Sequence, residues 1–176
     1  MALDSLAVEL YNHINMTVPS EVLRHVMRRW TSGVCVVSTI SGDFRHGMTV
    51  NSFTSISVNP ALVTVTLMNT SRTYHMVVSS GIFGITVLSV DQQAIADRFA
   101  GRSGDESNRF EGIDVFTLET GAPFITGGLA HLDCQVVYSH TMPESTLFIG
   151  EVMAAQRIED DRPLVYFNRE YHRLLQ

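Results

Sequence analysis

The sequence predicts a mainly β protein with a few helices, folded as a closed or nearly closed antiparallel barrel. Three observations carry that expectation. The chain has 176 residues, the usual size of one domain, and 45% of them are hydrophobic, enough for a sizeable core. Six or more runs rich in β-branched residues alternate with turn signals. Only a few segments switch to helical spacing, and no repeat, low-complexity tract or interdomain linker interrupts the pattern.

Residues 1–19 read as an N-terminal extension, with room for a short helix ending at Pro19, and residues 20–176 as the folded domain. A helix follows, with Ser20 as its cap, Glu21 at the positive end of its dipole, and Val22, Leu23, Val26, Met27 and Trp30 as an apolar stripe. Gly33 supplies its stop. Residues 34–40 read as a strand, the turn Ser41-Gly42-Asp43 as a hairpin bend, and the polar segment 45–53 as the returning strand. A second polar stretch, 54–57, runs to a break at Asn59-Pro60, and 61–67 reads as a buried strand. The polar turn 69–73 opens a short helix to about residue 80, followed by a strand at 82–88. Residues 91–100 read as a helix capped by Asp91. Residues 101–122 form a long loop with a short strand near 116–118. The long runs 129–140 and 146–158, separated by Met142-Pro143-Glu144, read as a β-hairpin or as two adjacent barrel strands, and 164–167 and 171–174 flank a turn at Asn168-Arg169-Glu170.

Composition excludes several functions. Net charge is −6, which disfavours nonspecific nucleic-acid binding. All 12 basic residues are arginine, so a Schiff-base or phosphate-loop lysine is ruled out. Cys35 and Cys134 sit in apolar runs without metal spacing and read as buried thiols. No signal peptide is visible and no apolar run approaches the ~20 residues that span a bilayer, so a cytoplasmic protein without a membrane partner is expected. There is no Gly-x-Gly-x-x-Gly after a strand and no Gly-x-Ser-x-Gly elbow. The seven histidines do not cluster as metal ligands, and Glu159-Asp160-Asp161 reads as a solvated acidic turn.

Two stretches carry potential chemistry. The run from Gly47 through Met48, Thr49, Val50, Asn51, Ser52, Phe53 and Thr54 to Ser55 sets small hydroxyls and backbone N–H groups between two apolar strands. A flavin ring needs such donors at its carbonyl oxygens and N5, although composition alone favours the plainer reading of an edge strand facing water. In Asn69-Thr70-Ser71-Arg72-Thr73 a helix start, two hydroxyls and a fixed cation suit a phosphate. An ordinary cap with a solvated arginine explains that turn as well.

Taken in order, these segments resemble the flavin reductase-like family. The resemblance runs from about Met27 to Leu174. It rests on Met27-Arg28-Arg29-Trp30-Thr31-Ser32-Gly33-Val34-Cys35, Gly47 to Ser57, Asn59-Pro60-Ala61, Ser71-Arg72-Thr73 and Phe83-Gly84-Ile85-Thr86. Arg98-Phe99-Ala100-Gly101, Gly128-Leu129-Ala130-His131, Gly150-Glu151-Val152 and Tyr171-His172-Arg173-Leu174 complete it. The resemblance implies a split β-barrel of the FMN-binding type and a homodimer with flavin near the subunit interface. It implies an NAD(P)H-dependent reductase that passes a hydride from NADH or NADPH to FMN or FAD and supplies a separate flavin-dependent monooxygenase. The stretch from Gly47 to Ser55 would hold the flavin ring, Ser71 to Thr73 its phosphate, and Phe99, Ala100 and Gly101 would lie beside it. No catalytic acid or base is implied, since the hydride moves between cofactors. Many members carry Gly-Asp-His-Thr where this chain has Pro143-Glu144-Ser145-Thr146, so the histidine is missing. His131 or Tyr171 is then the expected nicotinamide-placing group. Rival readings on the same barrel are an enzyme that keeps FMN bound for its own substrate, and a non-enzymatic flavin carrier.

Overall fold

A computed structural model of the chain describes residues 18–102, 108–158 and 162–174. The extension up to residue 17, with His13, and the acidic turn at residues 159–161 lie outside the described residues. The sheet order explains the architecture. Helix α1 (Ser20–Met27) leads into β1 (Ser32–Gly33), β2 (Cys35–Ser41), β3 (Phe44–Val50), β4 (Thr54–Val58) and β5 (Ala61–Met68). Then come α2 (Arg72–Ser80), β6 (Ile82–Val87), a 3-10 turn (Val90–Gln92) and α3 (Gln93–Phe99). Strands β7 (Val115–Thr117), β8 (Pro123–Ile125), β9 (Ala130–Thr141), β10 (Ser145–Arg157), β11 (Val165–Phe167) and β12 (Glu170–His172) complete the described elements.

Among the described residues the main sheet has seven antiparallel strands in the order β3-β2-β6-β9-β10-β5-β4. Its two edge strands, β3 and β4, are consecutive in the chain and joined only by residues 51–53. Four Cα steps reach at most ~14 Å, whereas a flat seven-stranded sheet separates its edges by ~29 Å. The sheet therefore curls until its edges approach. No ladder closes the seam among the described residues, so of the closed or nearly closed barrel expected the sheet takes the form that is not closed. In the β3–β4 connection Ser52 ties to β5, donating its hydroxyl to the Thr66 carbonyl and accepting from the Thr66 N–H.

The barrel interior is an apolar cluster around Val37, Val65, Leu67, Phe83, Ile85 and Phe148. Cys35 and Cys134 belong to it as free thiols. Burial pushes both up to about 12, so they remain protonated and inert. A second cluster, including Val36, Leu88, Phe99, Phe110 and Leu164, fills the space under α3.

Three local expectations are corrected. Pro19, in extended geometry, occupies the cap position of α1, and no side chain caps that helix. The helix ends at Met27, and Gly33 belongs to β1, paired with Val165, instead of supplying a stop. The stripe faces outward: Val22, Leu23, Val26, Met27 and Trp30 are all exposed, and α1 buries no residue. Asp91 is not a cap either. Ser89 and Gln92 form a reciprocal capping box instead, because Ser89 lies in extended geometry one residue before the turn. The turn at Asn168 and Arg169 is observed, with both residues at positive φ (51° and 68°), the geometry of a tight two-residue hairpin.

Candidate functional site

Strand β3 builds the site. It is a sheet edge, so one row of its backbone groups lacks a partner strand. Helices α2 and α3 pack beside it. Between them lies a cavity of about 440 Å³. Met48 and Thr49 form its strand wall, Phe99 and Ala100 its α3 wall, and Ser71, Arg72 and Thr73 its end. A smaller cavity of about 180 Å³ adjoins it, with Thr49 and Ala100 common to both. Val50 and Asn51 continue the wall there, opposite Tyr166, Tyr171 and Arg102.

Each wall has a local cause. Gly47 lets β3 approach α3: a Cβ there would lie 3.1 Å from Phe99 Cε1 and 3.0 Å from the Val37 carbonyl. The Thr49 hydroxyl donates to the Ala96 carbonyl at 2.7 Å, tying β3 to α3. Phe99 is fully buried and meets Phe110 edge-on, with centroids 4.9 Å apart. Gly101 takes φ +74° just past the end of α3, where a left-handed residue turns the chain out of a helix. Arg109 donates to the Gly47 and Phe99 carbonyls and so fastens the segment after residue 107 across the same wall.

The phosphate-like end is a helix start. The Ser71 hydroxyl caps α2 by accepting from the Tyr74 N–H. The Arg72 and Thr73 N–H groups have no helical acceptor, as at any helix start, and they carry the positive end of the dipole. The Thr73 hydroxyl is engaged with His46 Nδ1 at 2.9 Å, while the Arg72 side chain is exposed. Asn69 braces the turn from below. Its N–H and side-chain amide donate to the Glu144 and Met142 carbonyls, and its side-chain oxygen accepts from Thr146. The stretch from Pro143 to Thr146, where the histidine is absent, thus supports the helix start.

At the other cavity the Tyr166 and Tyr171 rings pack with centroids 5.5 Å apart. The Arg102 guanidinium lies 5.5 Å from the Tyr171 ring centre and pairs with Asp97 at 2.9 Å. Burial holds the Tyr171 phenol above its ordinary value, so it is a neutral donor at physiological pH.

The structure thus gathers Met48, Thr49, Val50, Asn51, Ser71, Arg72, Thr73, Phe99, Ala100 and Tyr171 around two neighbouring cavities that share Thr49 and Ala100. Gly101 lines neither cavity and follows Ala100 in the chain. Ser52 lines neither cavity and bonds to Thr66 of β5, and Thr54 and Ser55 are exposed on β4. His131 is set apart: it is 1% exposed, its Nε2 lies 3.0 Å from the Ile125 carbonyl, and Phe116 and Phe124 wall it in. Sequence reasoning missed His46, Arg102, Arg109 and Tyr166. Among the described residues no three His, Cys, Asp or Glu side chains converge as a metal site, and no helix is long and apolar enough to cross a membrane.

A family model described as flavin reductase like domain matches residues 27–175, and the chain belongs to that family. The reductase subunit HsaB of a flavin-dependent monooxygenase from Rhodococcus jostii is 33% identical over 84% of this chain and 74% of its own length. An NADH-dependent flavin reductase from a Rhodococcus species is 35% identical over 86% of this chain and 85% of its own. The solved structure of the Streptomyces globisporus NADH:FAD oxidoreductase SgcE6, in complex with NAD and FAD fragments, superposes with a TM-score of 0.80. It is 31% identical and covers 87% of this chain and 91% of that one.

Proposed function

We propose that this chain is an NADH-dependent flavin reductase that supplies reduced flavin to a separate monooxygenase. The observation that carries the reading is the pair of cavities joined at Thr49 and Ala100, a phosphate-type helix start at one end and two tyrosines at the other. The residues present fit a flavin. The Arg72 guanidinium and the Arg72 and Thr73 N–H groups would hold its phosphate. The free edge of β3 from Met48 to Asn51 presents backbone groups to its ring. Phe99 and Ala100 form the opposite wall. When bound, the flavin supplies the redox chemistry, accepting a hydride equivalent from the reduced nicotinamide.

The protein contributes alignment and electrostatics. Backbone N–H groups along β3 offset the negative charge that develops beside them. Tyr171, held neutral, donates a hydrogen bond without gaining or losing a proton, and with Tyr166 it walls the nicotinamide side. His131, buried behind Phe116 and Phe124, takes no part in this reading. The 20–176 segment works as one unit, and the exposed stripe of α1 packs against a second copy to form a homodimer. A cytoplasmic setting supplies reduced nicotinamide and keeps Cys35 and Cys134 as thiols. The test is loss of nicotinamide absorbance with NADH or NADPH and added FMN, FAD or riboflavin. Rapid flavin-dependent loss is expected. Flavin binding without loss for any pair overturns the reading in favour of a carrier.

A further inference from the structure

Past Asn51 and Tyr166 the tyrosine cavity adjoins a further cavity of about 230 Å³, which shares those two residues. It lies between the end of α1 and the β11–β12 turn, where the Asn168 N–H donates to the Arg28 carbonyl at 3.1 Å. Arg24, Arg28 and Arg169 all line it, and no acidic residue does, in a chain with 18 acids against 12 arginines. Among the described residues none of the three is paired with a carboxylate. Two further observations point to a ligand. The Arg28 Nε is closed off from solvent and has no acceptor. Buried donors are nearly always satisfied, so this one calls for an incoming oxygen. Arg169 holds φ +68° at a turn position that glycine fills without strain. A side chain kept there despite that cost indicates that its guanidinium is needed at this spot.

Three fixed guanidiniums without a counter-charge suit a phosphate dianion, which accepts several charge-assisted hydrogen bonds at once. A ribose hydroxyl would leave them uncompensated. Resting on the reductase reading above, we infer that this cavity takes the 2′-phosphate of NADPH, so that the chain draws hydride from NADPH as well as from NADH. The place follows from continuity: with the nicotinamide at Tyr166 and Tyr171, the rest of the dinucleotide extends past Asn51 toward the arginines. The redox step is otherwise unchanged. A hydride passes to the flavin, a proton follows from water, and NADP+ leaves in place of NAD+.

Initial rates at saturating FMN, with NADPH or NADH varied, test the inference. The native chain should show a KM for NADPH no higher than that for NADH. Arg169→Gly should raise the KM for NADPH about tenfold, leave that for NADH within about twofold, and leave kcat unchanged for both. Arg24→Ala should act in the same sense, and Arg169→Lys, which keeps the charge, should recover part of the loss. Calorimetric titration gives a readout free of turnover. Adenosine 2′,5′-bisphosphate should bind the native chain more tightly than 5′-AMP and lose that margin in Arg169→Gly. A KM for NADPH above that for NADH in the native chain, or equal changes for both dinucleotides in Arg169→Gly, overturns the subsite and leaves the reductase reading intact. A changed mass in light scattering for Arg24→Ala, with the NADPH to NADH ratio unmoved, assigns the arginines to contact with a second copy and also overturns it. No flavin-dependent oxidation of either dinucleotide, with no preference for the bisphosphate, overturns both readings together.

Discussion

Arg72 sits where charge and helix geometry coincide. Its side chain is exposed at the first position of α2, and its own N–H belongs to the unpaired set at the helix start. A charge-assisted bond to phosphate contributes ~1.5–3 kcal/mol, so Arg72→Ala should raise the Kd for FMN roughly 10- to 150-fold. Riboflavin, which lacks the phosphate, should bind the variant and the native chain alike. Equal losses for both ligands would move the phosphate away from this turn. His131 makes a different claim. Burial holds its imidazole below the ordinary 6.5, which favours the neutral form in the folded state. The stability it lends is therefore complete above pH 6.5 and is lost as pH falls toward its lower folded value, at no more than ~1.4 kcal/mol per pH unit. Urea midpoints at pH 7.5 and 5.5 should differ, and His131→Gln should reduce that difference. The Ser71–Thr73 turn was legible in the sequence because capping is local, spanning three residues. The bond from Thr49 to Ala96 was not, because 47 residues separate them and neither residue type announces the other. The same holds for His46 and Thr73, 27 apart.

Turns and strand order set what the elements reveal. The β2–β3, β9–β10 and β11–β12 hairpins were legible because glycine, proline and asparagine mark them. The sheet order was not, since pairing β6 with β9 depends on contacts about 50 residues apart. Amphipathic spacing identified α1 correctly as a helix, but spacing cannot say whether the stripe meets its own chain or another. If the stripe forms the proposed homodimer, Leu23→Asp should yield a monomeric mass in light scattering where the native chain gives a dimeric one; an unchanged dimeric mass would place the interface elsewhere. Arg169 presents a cost within an element. A non-glycine residue at φ 68° gives up about 1 kcal/mol, and Arg169→Gly should raise the thermal midpoint if the β11–β12 turn keeps its shape.

At the scale of the whole molecule, curling a seven-stranded sheet brings side chains on its inner face into close quarters. Gly150, at a register shift in β10, shows how close: a Cβ there would lie 2.5 Å from Phe83 Cζ. Gly150→Ala should cost about 1–3 kcal/mol of overpacking, read as a lower denaturation midpoint. The split seam has a consequence for handling the protein. An uncovered strand edge is a template on which another chain can add. Whatever lies along β3 also shields it, so the ligand doubles as a guard against self-association. Preparations stripped of flavin should scatter light sooner on warming than those kept saturated, and the amide protons of β3 should exchange with solvent fastest when the groove is empty.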